Sequence, residues 1–296
     1  MMPEKERKGS YRFLLPTAVI MALQFAMSFF FMELRAVYFA AGYRKEADYN
    51  TFMQDLTTAL TDTDLLTWAS VAYSLVATIL FAFWYKKMKP AYDEVKTDDS
   101  LKYYPAFLYA GILLFAIAAQ SVSMYLIDVL SYMFPDWLAY YYEIMEAAGL
   151  TGENGYAVST IVYAVFAGPL AEELCFRGVT YQYARKFFPF WTANIAQALL
   201  FGAMHMNPLQ STYAFFLALF FGMVYEKTRN IFVTIFLHIL YNGSGLLLEN
   251  LIDTGDTPVE FYITLFASLC VGYIGYIMIA KAEDVRTERI KSLSNG

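Results

Sequence analysis

Two adjacent carboxylates and an arginine sit at the end of one long apolar run: Glu172, Glu173 and Arg177, in the stretch GPLAEELCFRG at 168–178. The chain has only two histidines, His205 and His238, and both lie inside further apolar runs. Asn242 follows His238 by four residues. Ionisable groups at membrane depth are expensive to keep there, so each is a candidate for function. A carboxylate can take a proton, a histidine can donate or accept one, and an amide can donate a hydrogen bond. Together these types suit acid–base chemistry in a partly dry cavity.

Helical spacing sorts them. Glu173 and Arg177 are four apart, on one face, and are expected to form an ion pair that keeps Glu173 structural. Glu172 lies about 100° round the helix. It keeps less compensation and is the candidate general base. His205 comes four residues after Phe201, and His238 shares a helical face with Asn242. Gly168, Gly178, Gly202 and Gly243 lie near these groups and permit close helix approach.

Each feature alone has a plainer explanation. An intramembrane histidine can be a packing residue, E-E-x-x-x-R occurs on solvated helix faces, and Asn242 could be interhelical glue. Cys175 could suggest a thiol nucleophile, but apolar neighbours disfavour the thiolate. The combination is harder to dismiss, because three separate apolar segments converge on one set and use both histidines. The chain is thus expected to hold one shared polar site.

EELCFR at 172–177, F-x-x-x-H from Phe201 to His205 and H-x-x-x-N from His238 to Asn242 occur in that order on successive apolar segments. The pattern resembles the CPBP family, which comprises type II CAAX prenyl endopeptidases and bacterial relatives linked to bacteriocin processing and immunity. The likeness covers roughly residues 155–250. It implies an intramembrane glutamate-dependent endopeptidase cleaving a peptide or protein at the cytoplasmic membrane face. By that resemblance Glu172 with His205 activates a water, His238 and Asn242 stabilise the oxyanion, and Glu173 and Arg177 support the site. Glu172, His205 and His238 also make a two-histidine, one-carboxylate set that could hold a metal. Their spacing matches no helical zinc motif, and no metal or other cofactor is expected. Two other readings compete: a non-catalytic immunity or regulatory partner, and a proton-coupled transporter. The second lacks any visible repeat or broken-helix pair.

The elements that must position these groups are membrane spans. Only 16% of the 296 residues are charged and 58% are hydrophobic, against roughly 25% charged in a soluble domain. The sequence therefore predicts an all-α polytopic bundle. Eight apolar segments stand out, at about 13–32, 65–85, 104–127, 156–176, 190–207, 210–226, 231–249 and 260–280. Cytoplasmic connections collect Lys and Arg. All 21 basic residues except Arg35, Arg44 and Lys45 fall on the N-terminus, the second, fourth and sixth connections with Arg177 beside the fourth, and the C-terminal tail. Both termini are therefore expected in the cytoplasm, with no cleaved signal.

The expected organisation is three spans with a cytoplasmic loop over 1–127, an outer interfacial segment at 128–155, a five-span core at 156–280 and a cytoplasmic tail at 281–296. Phe134, Trp137, Tyr140, Tyr141 and Tyr142 suit a helix resting among headgroups. The polar KTDDS stretch at 96–100 marks the join between the N-terminal part and the core. Cys175 and Cys270 give no disulfide framework. The expected surroundings are a peptide substrate and the lipid bilayer of a cell membrane, by composition a bacterial inner membrane, with no nucleic acid.

Overall fold

A computed structural model describes residues 10–44, 48–88, 101–147, 156–248 and 257–294. The KTDDS stretch and the N-terminal Lys5, Arg7 and Lys8 lie outside the described residues. Each of the eight apolar segments is helical, and no strand occurs among the described residues. We number the helices α1 Leu15–Gly42, α2 Tyr49–Leu60, α3 Thr63–Lys87, α4 Phe107–Met133 and α5 Pro135–Ala147. They continue as α6 Val158–Arg185, α7 Phe190–Met204, α8 Pro208–Thr228, α9 Ile231–Leu248 and α10 Pro258–Ser294. Six of them are long and apolar enough to cross a bilayer: α1, α3, α4, α6, α8 and α10. This is a multi-pass membrane protein. The other two apolar segments make shorter helices, α7 with 15 residues and α9 with 18.

Two helices outrun their apolar stretches. The α1 helix continues to Gly42 and α10 to Ser294. The cause in α10 is a buried stripe beyond the span: Ile279, Ala282, Glu283 and Arg286 are all under 9% exposed, at the 3–4 spacing of one helical face. The first outer connection holds an unexpected helix, α2, bounded by Asp48 and Asp62. Their side chains accept from the Thr51 and Leu65 backbone N–H groups, capping α2 and α3.

The basic connections gather at one end of the bundle. There Trp84 Nε1 donates to the Tyr183 hydroxyl at 3.2 Å, and Arg185 pairs with Glu226 at 2.9 Å. Lys227 pairs with Asp284 at 2.8 Å, and Arg289 donates to the Tyr103 carbonyl at 3.1 Å. At the opposite end Ser159 Oγ donates to Asp64 at 2.7 Å. There Tyr125 meets Phe261, and Tyr141 of α5 meets Tyr213 of α8. The aromatic helix α5 is present as expected. It exposes Tyr140 and Tyr142 and buries Met145.

Small residues set the closest approaches. A Cβ on Gly275 of α10 would come 2.7 Å from the Phe115 nitrogen of α4. One on Gly222 of α8 would come 1.8 Å from Asn194 Oδ1 of α7. Asn194 and Gln197 donate across that gap to the carbonyls of Leu219 and Ala218, polar glue of the kind that holds helices in lipid. The α3 helix lies along α6 on one flank, and α4 packs against α9 and α10 on the other. Of the helices that carry the site, α6 and α9 are held between them, and α7 packs against α8 and α6.

Candidate active site

The α6 helix is not regular. It widens to π-type pairing over Val162–Ala167, is α-helical over Gly168–Glu173, and widens again over Leu174–Tyr181. Pro169 gives the physical reason for the first. Proline has no N–H and its ring clashes with the carbonyl four residues back, and a wider turn relieves both. The Gly168 N–H then bonds to the Tyr163 carbonyl. The next π-type donor, for the Ala164 carbonyl, would be Pro169 and does not exist. Asn242 Nδ2 fills the place, donating to that oxygen at 2.7 Å. Asn242 is thereby tied to α6, with its second N–H still to give. Such π insertions are frequent at functional sites.

The expected ion pair is present. Arg177 Nη1 donates to Glu173 Oε1 at 2.7 Å, with both side chains fully buried. The guanidinium also lies over the rings of Phe201 and Phe221, at 4.8 and 5.3 Å from their centroids. A buried carboxylate–guanidinium pair tolerates loss of neither partner, and both rings offer the cation their quadrupoles. Phe201 belongs to the F-x-x-x-H motif. Phe221, on α8, belongs to no motif and was not signalled by the sequence.

His238 joins this knot. Its Nδ1 is 2.8 Å from Glu173 Oε1, and its Nε2 is 3.8 Å from Glu172 Oε2. The shorter contact fits an Nδ1–H donating to the carboxylate, which fixes the ring with Nε2 toward Glu172. The longer one exceeds a hydrogen bond. Glu172 is 15% exposed where Glu173 is wholly buried, so adjacent residues have opposite environments, as the spacing indicated.

His205 caps the C-terminal end of α7. Its Nδ1 lies 2.9 Å from the Phe201 carbonyl, an Nδ1–H donation that leaves Nε2 as an acceptor. Its ring is 5.2 Å from the Phe201 ring, which also lies 6.1 Å from the His238 ring. His205 thus joins the cluster through Phe201, with no direct bond to either carboxylate among the described residues. Immediately after it, Met206 takes a left-handed backbone (φ 52°), costly for a residue with a side chain and typical of functional turns. Glu173 Oε2, Arg177 Nε and Asn207 Nδ2 are among the buried side-chain polar atoms with no protein partner. Among the described residues no three His, Cys, Asp or Glu side chains form a metal-binding group. Cys175 is buried and Cys270 exposed, both free.

A large hollow lies elsewhere among the described residues. About 1220 Å³ in volume, it opens at the basic end and is floored by Leu170, Leu174 and Ile235. Glu172 is two residues from Leu170, hence on the far side of the helix, and none of the six site residues lines it.

The stretch that holds the site has known counterparts. Residues 154–244 match the family described as type II CAAX prenyl endopeptidase Rce1-like. A Bacillus subtilis (strain 168) protein named "Putative membrane peptidase YdiL" is 25% identical over 128 residues, 39% of this chain and 52% of that protein. The chain thus spans about half the length of the curated relative it matches. No solved structure matches. Glu172, Glu173, Arg177, His205, His238 and Asn242 all fall inside the matched segment, so the stretch that carries the site is the stretch that is similar to the Rce1-like domain of type II CAAX prenyl endopeptidases.

Proposed function

We propose that this protein is a membrane-embedded, glutamate-dependent endopeptidase. The observation that carries the proposal is the division of labour between neighbouring carboxylates. Glu173 is sealed against Arg177 and His238, while Glu172 remains part-exposed beside them. The family match supports peptidase chemistry over other uses of the same groups. The first three spans act as scaffold, and residues 156–280 as the catalytic core.

In this reading Glu172 takes a proton from a water positioned with His205, whose Nε2 is left free by the Nδ1 contact to Phe201. The resulting hydroxide attacks the peptide carbonyl carbon. Charge collects on the carbonyl oxygen, where the spare Asn242 N–H and His238 Nε2–H donate to it. In that role His238 gives one N–H to Glu173 and the other to the oxyanion. Collapse of the tetrahedral intermediate breaks the C–N bond, and Glu172 returns its proton to the leaving amine. The products are a new carboxylate and a new amine, with no cofactor consumed.

The test compares peptide termini in membranes of cells expressing either the wild-type chain or Glu172→Gln at matched levels. Termini unique to the wild type are expected. Identical sets would end the proposal and favour a non-catalytic immunity or regulatory partner.

A further inference from the structure

We infer that Tyr163 is a further catalytic residue, whose hydroxyl donates to the water that Glu172 deprotonates, and that Tyr73 is the positioning residue behind it. The inference rests on the peptidase reading above and supplies a wall of the pocket that no motif marks.

The geometry begins at Gly168. A Cβ there would lie 3.6 Å from Cε2 of the Tyr163 ring and 3.7 Å from Glu172 Oε1. The ring and the carboxylate oxygen therefore approach each other along α6 over a residue with no side chain to part them. A regular helix would not allow this. Nine residues at ~100° each end about 180° apart, on opposite faces. The π-type turn at Val162–Ala167 takes in one residue more than an α turn. That leaves the phase of eight residues, about 80°. The irregularity that Pro169 imposes, which also leaves the Ala164 carbonyl to Asn242, thus brings Tyr163 round to the side of Glu172.

Tyr73 comes from α3, which packs along α6. It is 4% exposed, and Tyr163 is part-exposed. The charge on Glu172 reaches both hydroxyls, and the two tyrosines reach each other. A buried tyrosine usually finds its hydroxyl a partner. Tyr104, Tyr181 and Tyr241 do so here, on Glu283, Glu226 and Ser123. Among the described residues the hydroxyls of Tyr73 and Tyr163 bond to no protein group. Two donors are thus left over beside the one carboxylate that the buried ion pair also leaves over.

Hydrogen-bond counting gives each a task. A water has two protons and two lone pairs. In the proposed mechanism its protons face Glu172 Oε1 and His205 Nε2, which the Nδ1 contact to Phe201 leaves as an acceptor. One lone pair must stay open to attack the peptide carbonyl. The other takes a single donor, and Tyr163 is the tyrosine that meets Oε1 across Gly168. Tyr73 then donates to the Tyr163 oxygen and fixes the direction of its O–H. Glu172 Oε2 remains on the side of His238 Nε2.

The test uses the full chain in detergent micelles and has two arms. In the first, 3-fluorotyrosine replaces Tyr163, Tyr73 or the 90% exposed Tyr132, one at a time, and fluorine NMR is recorded with and without Glu172→Gln. The resonances at 163 and 73 are expected to shift and that at 132 to stay. An unmoved resonance at 163 overturns the inference whether or not the protein cleaves anything. The second arm follows a synthetic peptide spanning a junction that only wild-type membranes show cut. Tyr163→Phe is expected to lower kcat about tenfold, the loss of one hydrogen bond, with KM and unfolding temperature unchanged. Tyr73→Phe should lower kcat less, and should cost nothing further when added to Tyr163→Phe, because it acts through that residue. A wild-type kcat in Tyr163→Phe beside an inert Glu172→Gln overturns the inference and leaves the peptidase reading standing. So do independent, additive losses at the two tyrosines. Full cleavage by Glu172→Gln brings down the peptidase reading, and the inference with it.

Discussion

Two carboxylate–arginine pairs are buried in the described part of the chain, and their surroundings separate a staple from a site. Glu283 and Arg286, three apart on α10, meet at 2.9 Å with the guanidinium over the ring of Tyr104. The Tyr104 hydroxyl and Thr287 both donate to Glu283. Burial and the adjoining carboxylate push the Tyr104 hydroxyl's pKa up, so it stays a donor at neutral pH. This group ties the start of α4 to the far end of α10. Glu173 and Arg177 repeat the arrangement in the middle of the bundle, with Phe201 and Phe221 in place of tyrosine. The ion pairs are alike. What differs is the neighbour left over: a part-exposed second carboxylate and two histidines in one case, further hydroxyl donors in the other. A buried ion pair is weak evidence of function; a titratable group that the pair leaves uncompensated is stronger evidence.

The largest effect expected breaks that contrast at the leftover carboxylate. Glu172→Gln should lower peptide cleavage by about 10²–10⁴-fold, the contribution of a positioned general base. The folded yield in detergent should match wild type, because Glu172 is in neither ion pair. Glu283→Gln should leave cleavage per folded molecule unchanged. Retained cleavage in Glu172→Gln would dissolve the distinction.

Next come the arginines. Arg177→Met leaves Glu173 uncompensated in a dry interior and should cost about 3–5 kcal/mol, read as folded fraction against temperature. Arg286→Met, nearer the rim and with Tyr104 and Thr287 still donating, should cost about 1–3 kcal/mol. Equal losses would show that depth does not separate the two pairs.

The sequence made part of this contrast legible. Four-residue spacing sufficed for Glu173–Arg177, because that bond lies within one helix. It also sufficed for the opposed environments of Glu172 and Glu173, which follow from angle alone. The contact of His238 with Glu173 is not local, and no spacing on α6 or α9 encodes it. Phe221 closes over Arg177 from α8 with no motif to mark it. The eight apolar segments were readable because lipid demands continuous hydrophobicity. The extensions of α1 and α10 were not, since a helix stabilised by packing continues after its apolar run has ended.

Asn242 sharpens the site half of the comparison. Its bond to Ala164 answers the missing Pro169 N–H, so its anchoring depends on a backbone irregularity that helical periodicity does not show. Asn242→Ala should lose about 1 kcal/mol for that bond. It should also lose about 10²–10³-fold in cleavage if its second N–H serves the oxyanion. Stability loss with full cleavage would reduce Asn242 to a helix tie. Asn242→Asp keeps the size but removes the donors, and should resemble alanine in rate.

The smallest effect belongs to the staple. Tyr104→Phe removes one donor from Glu283, which keeps Arg286 and Thr287. The expected cost is about 1 kcal/mol, a shift of a few degrees in unfolding temperature, with cleavage per folded molecule unchanged. The ring stays, so the guanidinium keeps its aromatic face. The staple lies at the basic end and its Glu283 lines the hollow there, which none of the six site residues lines. If the hollow and the site are separate, disturbing the staple alters only how firmly α10 is held. A fall in cleavage comparable to that of Asn242→Ala would mean instead that the hollow communicates with the site.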